Sequence, residues 1–359
     1  MKQKNEPSFD ESVLNIKSVL YFIVIAIMAL IFFIFQIFNT SDSIIPLPKF
    51  QAFEVDSIQS KVPSKYSKSS ENFWIAPDIA SLKGSALESQ ILYGKELIQN
   101  TSKYLGPKGS VAQISNGMNC QNCHLDAGTK IYGNNYGSVA ATFPKFRARS
   151  GTEENIYKRV NDCFERSLNG QPLDTTSAEM QAIKAYMLFL GSNVEKGTVV
   201  KGSGLKDLPF LDRAANPESG KNIYLAKCAS CHMADGKGVK AQDGIAYTYP
   251  PLWGSNSYNM GAGLYRLSNF AKYVKYNMPY GASYLNTQLS DEEAWDVAAF
   301  VNSQPRPKHP FLGTDWPKIE KKPYDHPFGP YADPFPEAQH KYGPYEPIVA
   351  FYKSASKKN

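Results

Sequence analysis

The sequence predicts a mainly α-helical fold in which two small helical domains of one type follow each other, between an apolar N-terminal segment and a tail rich in proline and aromatic residues. The motif C-x-x-C-H occurs twice, and each copy lies between segments whose apolar residues repeat at helical spacing. A length of 359 residues suits about two domains. With 42% hydrophobic and 20% charged residues, the chain is neither disordered nor fibrous. The net charge of +6 forms no basic stripe, so the sequence gives no indication of a nucleic-acid partner.

An uncharged apolar run covers 18–38, about 20 residues, which is long enough to cross a hydrocarbon core of roughly 30 Å. A cleavable signal peptide would have a shorter apolar region and a cleavage site of small residues, and a buried core helix is rarely so long. Lys2, Lys4 and Lys17 precede the run, so the positive-inside rule predicts that 1–17 is cytoplasmic. We expect a single-pass transmembrane anchor in the cytoplasmic membrane, with the domains on the periplasmic or outer side.

The two motifs cover Cys120 to His124 and Cys228 to His232. In c-type haem attachment, two thiols bond the porphyrin vinyl groups and the adjacent His binds the iron. A zinc site or a thioredoxin-like motif does not require a His directly after the second Cys in both copies. The sequence therefore predicts two covalently bound haem c groups in two tandem cytochrome c-type domains. The residues expected to attach the haems and, for the two His, to ligate the irons are Cys120, Cys123, His124, Cys228, Cys231 and His232.

A helix is expected to lead into each motif. Asn216-Pro217 provides an N-cap and an N1 proline for a helix that ends near Lys227. Before the first motif, Ser85 to Asn100 has apolar residues at helical spacing. Gly94-Lys95 in that segment parallels Gly220-Lys221 in the second, which indicates that the two domains are built alike.

A second helix is expected to close each domain, over Ser177 to Leu190 and over Asp291 to Ser303. Both starts show an S/T-x-x-E capping box, and the pairs are Thr176 with Glu179 and Ser290 with Glu293. The predicted segments are the cytoplasmic N-terminus 1–17, the anchor 18–38, a linker 39–75, the first haem domain 76–200, an interdomain linker 201–212, the second haem domain 213–304 and the tail 305–359.

The tail from Pro305 contains eleven prolines, too many for a helix or a central strand. Its aromatic residues are too numerous for a disordered segment. We expect an extended strap that lies over the domains. His309, His326 and His340 in this strap are expected to be surface or packing residues rather than iron ligands.

Each iron with one His needs a second axial ligand or stays open. In the second domain Met278 lies 46 residues after His232, just before the closing helix, where a Met ligand raises the reduction potential. Met260 is the rival candidate. At the matching position of the first domain stands Cys163, the odd cysteine of the chain. A buried free thiol is the alternative, but the matched position favours a thiolate ligand of the first iron.

The segment from Glu153 to Leu168 is predicted as a helix, on which Arg159 and Cys163 are four residues apart and share a face. Arg147 and Arg149 lie just upstream. Because guanidinium groups pair forkwise with oxyanions, a thiolate beside them suits a small sulfur oxyanion. The alternative is that these arginines are solvated surface charges, and Arg147 is left open between the two interpretations.

Four parts of the chain carry a specific resemblance. They are the run FPKFRARSGTEENIYKRVNDCFERSLNG (143–170), the two C-x-x-C-H motifs, NMPYGASY (277–284) and FGPYADPFPEAQHKYGPYEPI (328–348). Together they resemble the dihaem c-type thiosulfate dehydrogenase/tetrathionate reductase family. The resemblance implies that two thiosulfate ions are joined to tetrathionate with release of two electrons, in either direction.

The resemblance also implies roles for single residues. Cys163 would be both iron ligand and active-site sulfur, and Arg149, Arg159 and Ser167 would line the substrate pocket. Some members of the family have a lysine directly before the distal Met and exchange ligands on reduction, but this chain has Asn277 there. Electrons would pass through the second haem to a soluble or membrane-bound cytochrome c-type acceptor or donor. Two alternatives stay open: a membrane-tethered dihaem electron carrier without substrate chemistry, and an enzyme that transfers a sulfur compound to a carrier protein.

Overall fold

The computed structural model describes residues 19–32, 64–310 and 312–356. The chain divides into two units, Met1–Gln51 and Ala52–Asn359. In the first unit, helix α1 covers 19–32 and its side chains are exposed. The second unit contains both C-x-x-C-H motifs and the tail.

The predicted membrane anchor is corrected by the structure. Among the described residues, no helix is both long and apolar enough to cross a membrane. The predicted span continues over 33–38, which lies outside the described residues. The expected transmembrane helix, and with it the expected location in the cytoplasmic membrane and the membrane as a partner, is therefore contradicted.

The first half of the second unit consists of helices, one hairpin and the loops that connect them. Its elements are α2 (Glu88–Gln99), α3 (Thr101–Leu105), α4 (Leu125–Gly128), α5 (Val139–Thr142), β1 (Lys145–Arg147), β2 (Thr152–Glu154), α6 (Ile156–Arg166) and α7 (Ala178–Leu190). Helices α2 and α7 cross in close contact at Gly94, where a Cβ atom would lie 2.0 Å from the backbone oxygen of Ala182. Only glycine permits this approach, so the crossing explains why Gly94 stands there.

The second half repeats this arrangement. Its elements are α8 (Pro217–Lys227), α9 (Ala229–His232), β3 (Val239–Lys240), β4 (Tyr247–Tyr249), α10 (Leu267–Asn277) and α11 (Asp291–Ser303). Helices α8 and α11 cross at Gly220, where a Cβ atom would lie 1.9 Å from the backbone oxygen of Asp296. The glycines that looked parallel in the sequence therefore occupy equivalent helix crossings.

One of the two predicted capping boxes forms. At the start of α11, Ser290 Oγ accepts from the backbone N–H of Glu293 at 3.0 Å, and the Glu293 carboxylate accepts from the backbone N–H of Ser290 at 2.9 Å. The prediction of a Thr176–Glu179 capping box is wrong. Ser177 caps α7 instead, and the Glu179 carboxylate accepts a hydrogen bond from the hydroxyl of Tyr93 at 2.8 Å.

The predicted helix from Glu153 starts three residues later, at Ile156, because 152–154 forms β2. This strand pairs antiparallel with β1, with Lys145 opposite Glu154 and Arg147 opposite Thr152. Asn155 then caps α6 by accepting from the backbone N–H of Lys158 at 2.9 Å. Strand β2 contacts α6, the helix that carries Cys163, and β1 pairs with β2.

The tail is irregular at first and then helical. After two single 3-10 turns it forms α12 (Glu337–Tyr342) and α13 (Glu346–Ser356), which the proline count did not predict. Pro347 occupies the first turn of α13, where the missing N–H of proline has no helical partner to lose. Two ion pairs attach the tail to the haem domains: Arg166 binds Asp315, and Arg266 binds Asp325.

The three tail histidines lie within this packing. His309 and His340 are buried, and His326 is half-buried. The ring of His340 stacks on Tyr331 with 3.7 Å between ring centroids, and its Nδ1 lies 2.7 Å from the backbone oxygen of Tyr324.

Candidate functional site

Each C-x-x-C-H motif opens onto its own cavity. The first cavity has a volume of about 360 Å³, and four of its lining residues are Cys120, Cys123, His124 and Cys163. The second cavity has a volume of about 410 Å³, and four of its lining residues are Cys228, Cys231, His232 and Met278. The structure thus brings together, in each domain, the motif and the residue that the sequence predicts as the second axial ligand.

Both motif histidines are held in the tautomer that an iron ligand needs. Nδ1 of His124 lies 2.6 Å from the backbone oxygen of Asn134, and Nδ1 of His232 lies 2.8 Å from that of Pro250. A carbonyl oxygen can only accept, so Nδ1 carries the proton and the Nε2 lone pair is free. Burial lowers the pKa of His124 to about 4 and also lowers the pKa of His232, which keeps both rings neutral at pH 7.

The donor sets fit a covalently attached haem in both cavities. Each offers two thiols for the thioether bonds, one neutral imidazole and one further sulfur, within walls of mainly apolar side chains. The sequence did not indicate Asn134 or Pro250, since their contribution is a backbone oxygen and any residue type supplies one.

Helix α6 presents Cys163 and two polar side chains to the first cavity. Nη1 of Arg159 donates to Cys163 Sγ at 3.3 Å, and the thiolate charge of Cys163 raises the pKa of Arg159. Ser167, one turn after Cys163, also lines the cavity. The interpretation of Arg159 as a solvated surface charge therefore does not hold, because its guanidinium faces the sulfur.

Strand β1 adds two cations to the same cavity, Lys145 and Arg147. Arg147, which the sequence left open, has its Nε 3.9 Å from the Glu154 carboxylate. Lys145 was missed entirely, although the alternation of Lys145, Phe146 and Arg147 is the signal of a strand with one charged face.

Arg149 lies elsewhere. It lines a smaller, separate cavity together with Met260 and His326. Its Nη1 donates to the backbone oxygen of Gly261 at 3.2 Å, and its guanidinium lies over the ring of Trp316. Burial lowers the pKa of Arg149 to about 10, so the side chain stays charged at pH 7. The structure does not place Arg149 among the residues that line the Cys163 cavity.

The two methionine candidates for the second haem line different cavities. Met278 lines the second cavity with His232, whereas Met260 lines the small cavity beside Arg149. Asn277, directly before Met278, is buried, and its side-chain amide donates to the backbone oxygens of Tyr132 and Tyr273. The Asn277 side chain is therefore held by the backbone at this position.

The two cavities share a wall. Met118, Asn119, Asn122 and Cys123 line both of them. Across this wall the hydroxyl of Tyr273, on α10, donates to the backbone oxygen of Asn122 at 2.7 Å. The first motif is therefore in direct contact with the domain of the second.

Comparisons with known proteins agree with this architecture. Residues 217–305 match the model of the cytochrome c family, and residues 110–194 match the model described as the SoxA/TsdA cytochrome c domain. The thiosulfate dehydrogenase of Allochromatium vinosum is 39% identical over 235 residues, which cover 64% of this chain and 83% of that protein. The thiosulfate dehydrogenase of Stutzerimonas stutzeri is 34% identical over 255 residues, which cover 71% of this chain and 80% of that protein.

A solved structure is also similar. The thiosulfate dehydrogenase (TsdBA) of Marichromatium purpuratum in its as-isolated form superposes with a TM-score of 0.61 at 28% identity, over 67% of this chain. The chain spans about half of that protein, 50% of its length. With two cytochrome c domains and two cavities of fitting chemistry, the chain carries two covalently bound haem c groups. Its similarity to the curated relatives over most of their length shows that it belongs to the thiosulfate dehydrogenase family.

Proposed function

We propose that the protein is a thiosulfate dehydrogenase that joins two thiosulfate ions into tetrathionate, with Cys163 as the reacting sulfur and as the second axial ligand of the first haem iron. One observation supports this most strongly. Cys163 is the only cysteine outside the two motifs, and it lines the cavity of His124 while accepting a hydrogen bond from Arg159. The relatives named thiosulfate dehydrogenase support the choice of substrate.

The motif cysteines would hold the haems, His124 and Cys163 would bind the first iron, and His232 and Met278 would bind the second. When bound, each haem supplies a one-electron acceptor, and two of them match the two electrons of one S–S bond. A thiolate ligand lowers the reduction potential and a Met ligand raises it, so the second haem is the better electron acceptor of the two.

The steps at the side chains balance without a proton. The Cys163 thiolate bonds to the outer sulfur of thiosulfate and two electrons leave, which gives a thiosulfonate group on Cys163. A second thiosulfate then attacks that outer sulfur, tetrathionate departs and the Cys163 thiolate is restored. The reverse sequence with two added electrons is tetrathionate reduction, so the same residues serve both directions.

Two side chains assist this chemistry from α6. Arg159 faces the sulfur and offsets the negative charge of the oxyanion that approaches it, a preorganised electrostatic role. Ser167 lies one helical turn beyond Cys163 and donates a hydrogen bond to a sulfonate oxygen. His124 is the only histidine among the described residues that line this cavity, and its free nitrogen is committed to iron.

Arg149 serves as a positioning residue in this proposal. Its guanidinium donates to the backbone oxygen of Gly261, and its own backbone oxygen accepts from Trp316 N–H at 2.7 Å. The contact with Gly261 joins the turn between β1 and β2 to the second domain, and the backbone N–H of Trp316 joins it to the tail. Arg149 thus acts on the substrate through the hairpin that carries Lys145 and Arg147.

An external cytochrome c-type carrier would take up the electrons at the second domain. The shared wall between the cavities and the hydrogen bond from Tyr273 to Asn122 support direct transfer between the haems. Tyr249 and Tyr280 line the second cavity, and 93% of Tyr280 is exposed, which supports an outer face where a carrier can approach.

The experiment that tests this proposal measures both the tetrathionate formed and the ferricyanide reduced. The purified holoprotein is incubated with thiosulfate and ferricyanide, and tetrathionate is quantified by ion chromatography. One tetrathionate should form for two thiosulfate ions and two reduced ferricyanide ions. In the Cys163→Gly variant, tetrathionate formation should fall by at least about 100-fold, since the nucleophile is lost.

Haem content per chain, measured for both proteins, is the control and should stay at two haems, because Cys163 forms no thioether bond. A Cys163→Gly protein that carries both haems and forms tetrathionate at the normal rate contradicts the proposal. A wild-type protein that is reduced by no sulfur compound is an electron carrier, and one that consumes thiosulfate without forming tetrathionate transfers the sulfur compound elsewhere.

A further inference from the structure

The loop after Met278 carries two exposed apolar side chains. Tyr280 is 93% exposed and Leu285 is 81% exposed, the two highest values among the large hydrophobic side chains that the structure describes. Leu285 lines neither haem cavity, so a haem in the second cavity does not cover it. Apolar side chains exposed on one short segment favour an interaction surface over scattered surface residues. The loop 279–286 is therefore a candidate contact surface beside the predicted ligand of the second iron.

This loop is held in one conformation by its own contacts. Ser283 and Asn286 exchange two backbone hydrogen bonds, of 3.0 and 3.1 Å. The ring centroid of Tyr284 lies 5.2 Å from that of Phe73 and 5.3 Å from that of Tyr132, so the loop packs on the first domain and its entry segment. A partner that binds the exposed leucine between these anchors has little loop entropy to remove, which favours binding.

Three lysines stand around the same loop. Nζ of Lys130 donates to a backbone oxygen of the loop at 3.4 Å, and Nζ of Lys206 lies 5.9 Å from the ring centroid of Tyr284. Nζ of Lys201 lies 4.9 Å from the ring centroid of Phe73, which packs on Tyr284. The ion pairs of the second domain within the described residues include none of these lysines. The three lysines also line neither haem cavity.

Few acidic side chains balance these lysines. Asp207, next to Lys206 in the chain, is already paired with Lys272 at 2.7 Å. Asp126 is the single acidic side chain among the described residues that line the second cavity, and it offsets at most one of the three charges. The whole chain carries a net charge of +6. Charge complementarity therefore favours an acidic partner over a basic one.

We infer that Tyr280, Leu285, Lys130, Lys201 and Lys206 form the surface on which the electron carrier docks, and that this carrier is a c-type cytochrome with an acidic surface around its haem edge. The inference rests on the proposed function, in which electrons leave at the second domain. The lysines steer the acidic carrier toward the loop, and the apolar side chains make the close contact. Each encounter reduces one carrier by one electron and transfers no other group, so two carriers are reduced for each tetrathionate formed.

The first test varies the charge of the carrier. The holoprotein is reduced with dithionite, freed of excess reductant and mixed in a stopped-flow instrument with an oxidised basic cytochrome c or with the same cytochrome after succinylation of its lysines. At an ionic strength of about 0.01 M the second-order rate constant should be at least about tenfold higher for the succinylated, acidic form. At about 1 M salt, where charges are screened, the difference should fall below about twofold.

The second test varies the docking surface, with the acidic carrier. Lys201→Glu and Lys206→Glu should each lower the rate constant about fivefold at low ionic strength and leave it unchanged at high salt. Lys83→Glu changes an exposed lysine in the turn before α2 and is the matched control. Leu285→Ser should lower the rate constant about fivefold at both ionic strengths, whereas Leu92→Ser, at an exposed position on α2, should not. Haem content is measured for every variant and should stay at two haems per chain.

Three results overturn the docking surface. The first is equal or faster reduction of the basic carrier at low ionic strength. The second is a wild-type rate constant in a protein that combines Lys201→Glu, Lys206→Glu and Leu285→Ser. The third is a dimer of the wild type in sedimentation that Leu285→Ser dissociates, because the occupant would then be a second copy of the chain. Since dithionite supplies the electrons, these outcomes do not depend on thiosulfate. A wild type that reduces the acidic carrier as expected but forms no tetrathionate overturns the proposed function instead.

Discussion

The two haem domains share a scaffold and differ in what stands opposite the proximal histidine. In both, a glycine allows the leading helix to cross the closing helix, at Gly94 and at Gly220. In both, a backbone carbonyl oxygen fixes the tautomer of the motif histidine. In the first domain, β1 and α6 bring three cations and Cys163 to the cavity. The second domain presents Met278 and a wall with six tyrosines.

We therefore attribute the proposed reaction to the side chains that β1 and α6 present to the first cavity, and not to the scaffold that both domains share. A cavity with mainly apolar walls and a thioether suits electron transfer. A cavity lined by a thiolate and cationic side chains suits chemistry on a sulfur oxyanion.

The largest effect is expected from making the first domain resemble the second. Cys163→Met should abolish tetrathionate formation, by a factor on the order of 1,000 or more, since a thioether is no nucleophile at neutral pH. It should also raise the potential of the first haem by a few hundred millivolts, roughly, because a Met ligand replaces a thiolate. Spectroelectrochemical titration measures this shift. The potential of the second haem should not move, and an unchanged potential of the first would sink the assignment of the ligand.

The next largest effect is a loss of stability when the glycine at either helix crossing is replaced. Gly94→Ala and Gly220→Ala place a Cβ about 2 Å from a backbone oxygen that cannot move aside, at Ala182 and at Asp296. Each substitution should destabilise its own domain by at least about 3 kcal/mol. Thermal unfolding of each variant, followed by haem absorbance, checks the loss. Wild-type stability in either variant would show that the two crossings are not equivalent.

A smaller effect concerns pH. The pKa of Lys145 is lowered below its usual value by burial and by repulsion from Arg147 and Arg159, against attraction from Glu154. Lys145 is charged below its pKa, so kcat/KM for thiosulfate should fall as pH rises through that pKa, and this fall should begin below the usual lysine value of about 10.4. In Lys145→Gln the alkaline fall should be absent. If the wild type and Lys145→Gln have the same pH profile, Lys145 does not contribute to substrate binding.

The smallest effect is expected on the free energy of unfolding when the N-cap of either closing helix is removed. Ser290→Ala removes a hydrogen bond of 3.0 Å at the start of α11 and should cost about 1 kcal/mol. Ser177→Ala removes a longer one of 3.2 Å at the start of α7 and should cost less. Denaturant unfolding of the two variants gives the comparison. Equal losses would show that bond length does not decide the difference.

Much of this architecture could be predicted from the sequence because its signals are local. The motifs, the N-cap at Asn216, the closing helices and the position of Met278 each depend on a few neighbouring residues. Cys163 could be placed by its spacing alone, since the two domains share their layout. What could not be predicted depends on contacts between distant segments. Ser177 rather than Thr176 caps α7, and the Glu179 carboxylate is held by Tyr93, 86 residues away.

The arginines show the same limit. Nothing local distinguishes Arg147 from Arg149, two residues apart, yet the first lines the Cys163 cavity and the second reaches Gly261 in the other domain. The apolar run at 18–38 is an instructive failure, because composition and length predicted a span that no helix in the described part of the chain provides. Helix α13 was missed because prolines in a first turn are compatible with a helix.

The most direct test of the account is the electron paramagnetic resonance spectrum of the oxidised holoprotein beside that of its Cys163→Gly variant. Two ferric haem signals should be present in the wild type, one with the pattern of thiolate ligation and one with that of His/Met ligation. In Cys163→Gly the thiolate signal should disappear while the His/Met signal persists. Identical spectra from the two proteins would contradict the account, because the sulfur of Cys163 would then not be bound to the first iron.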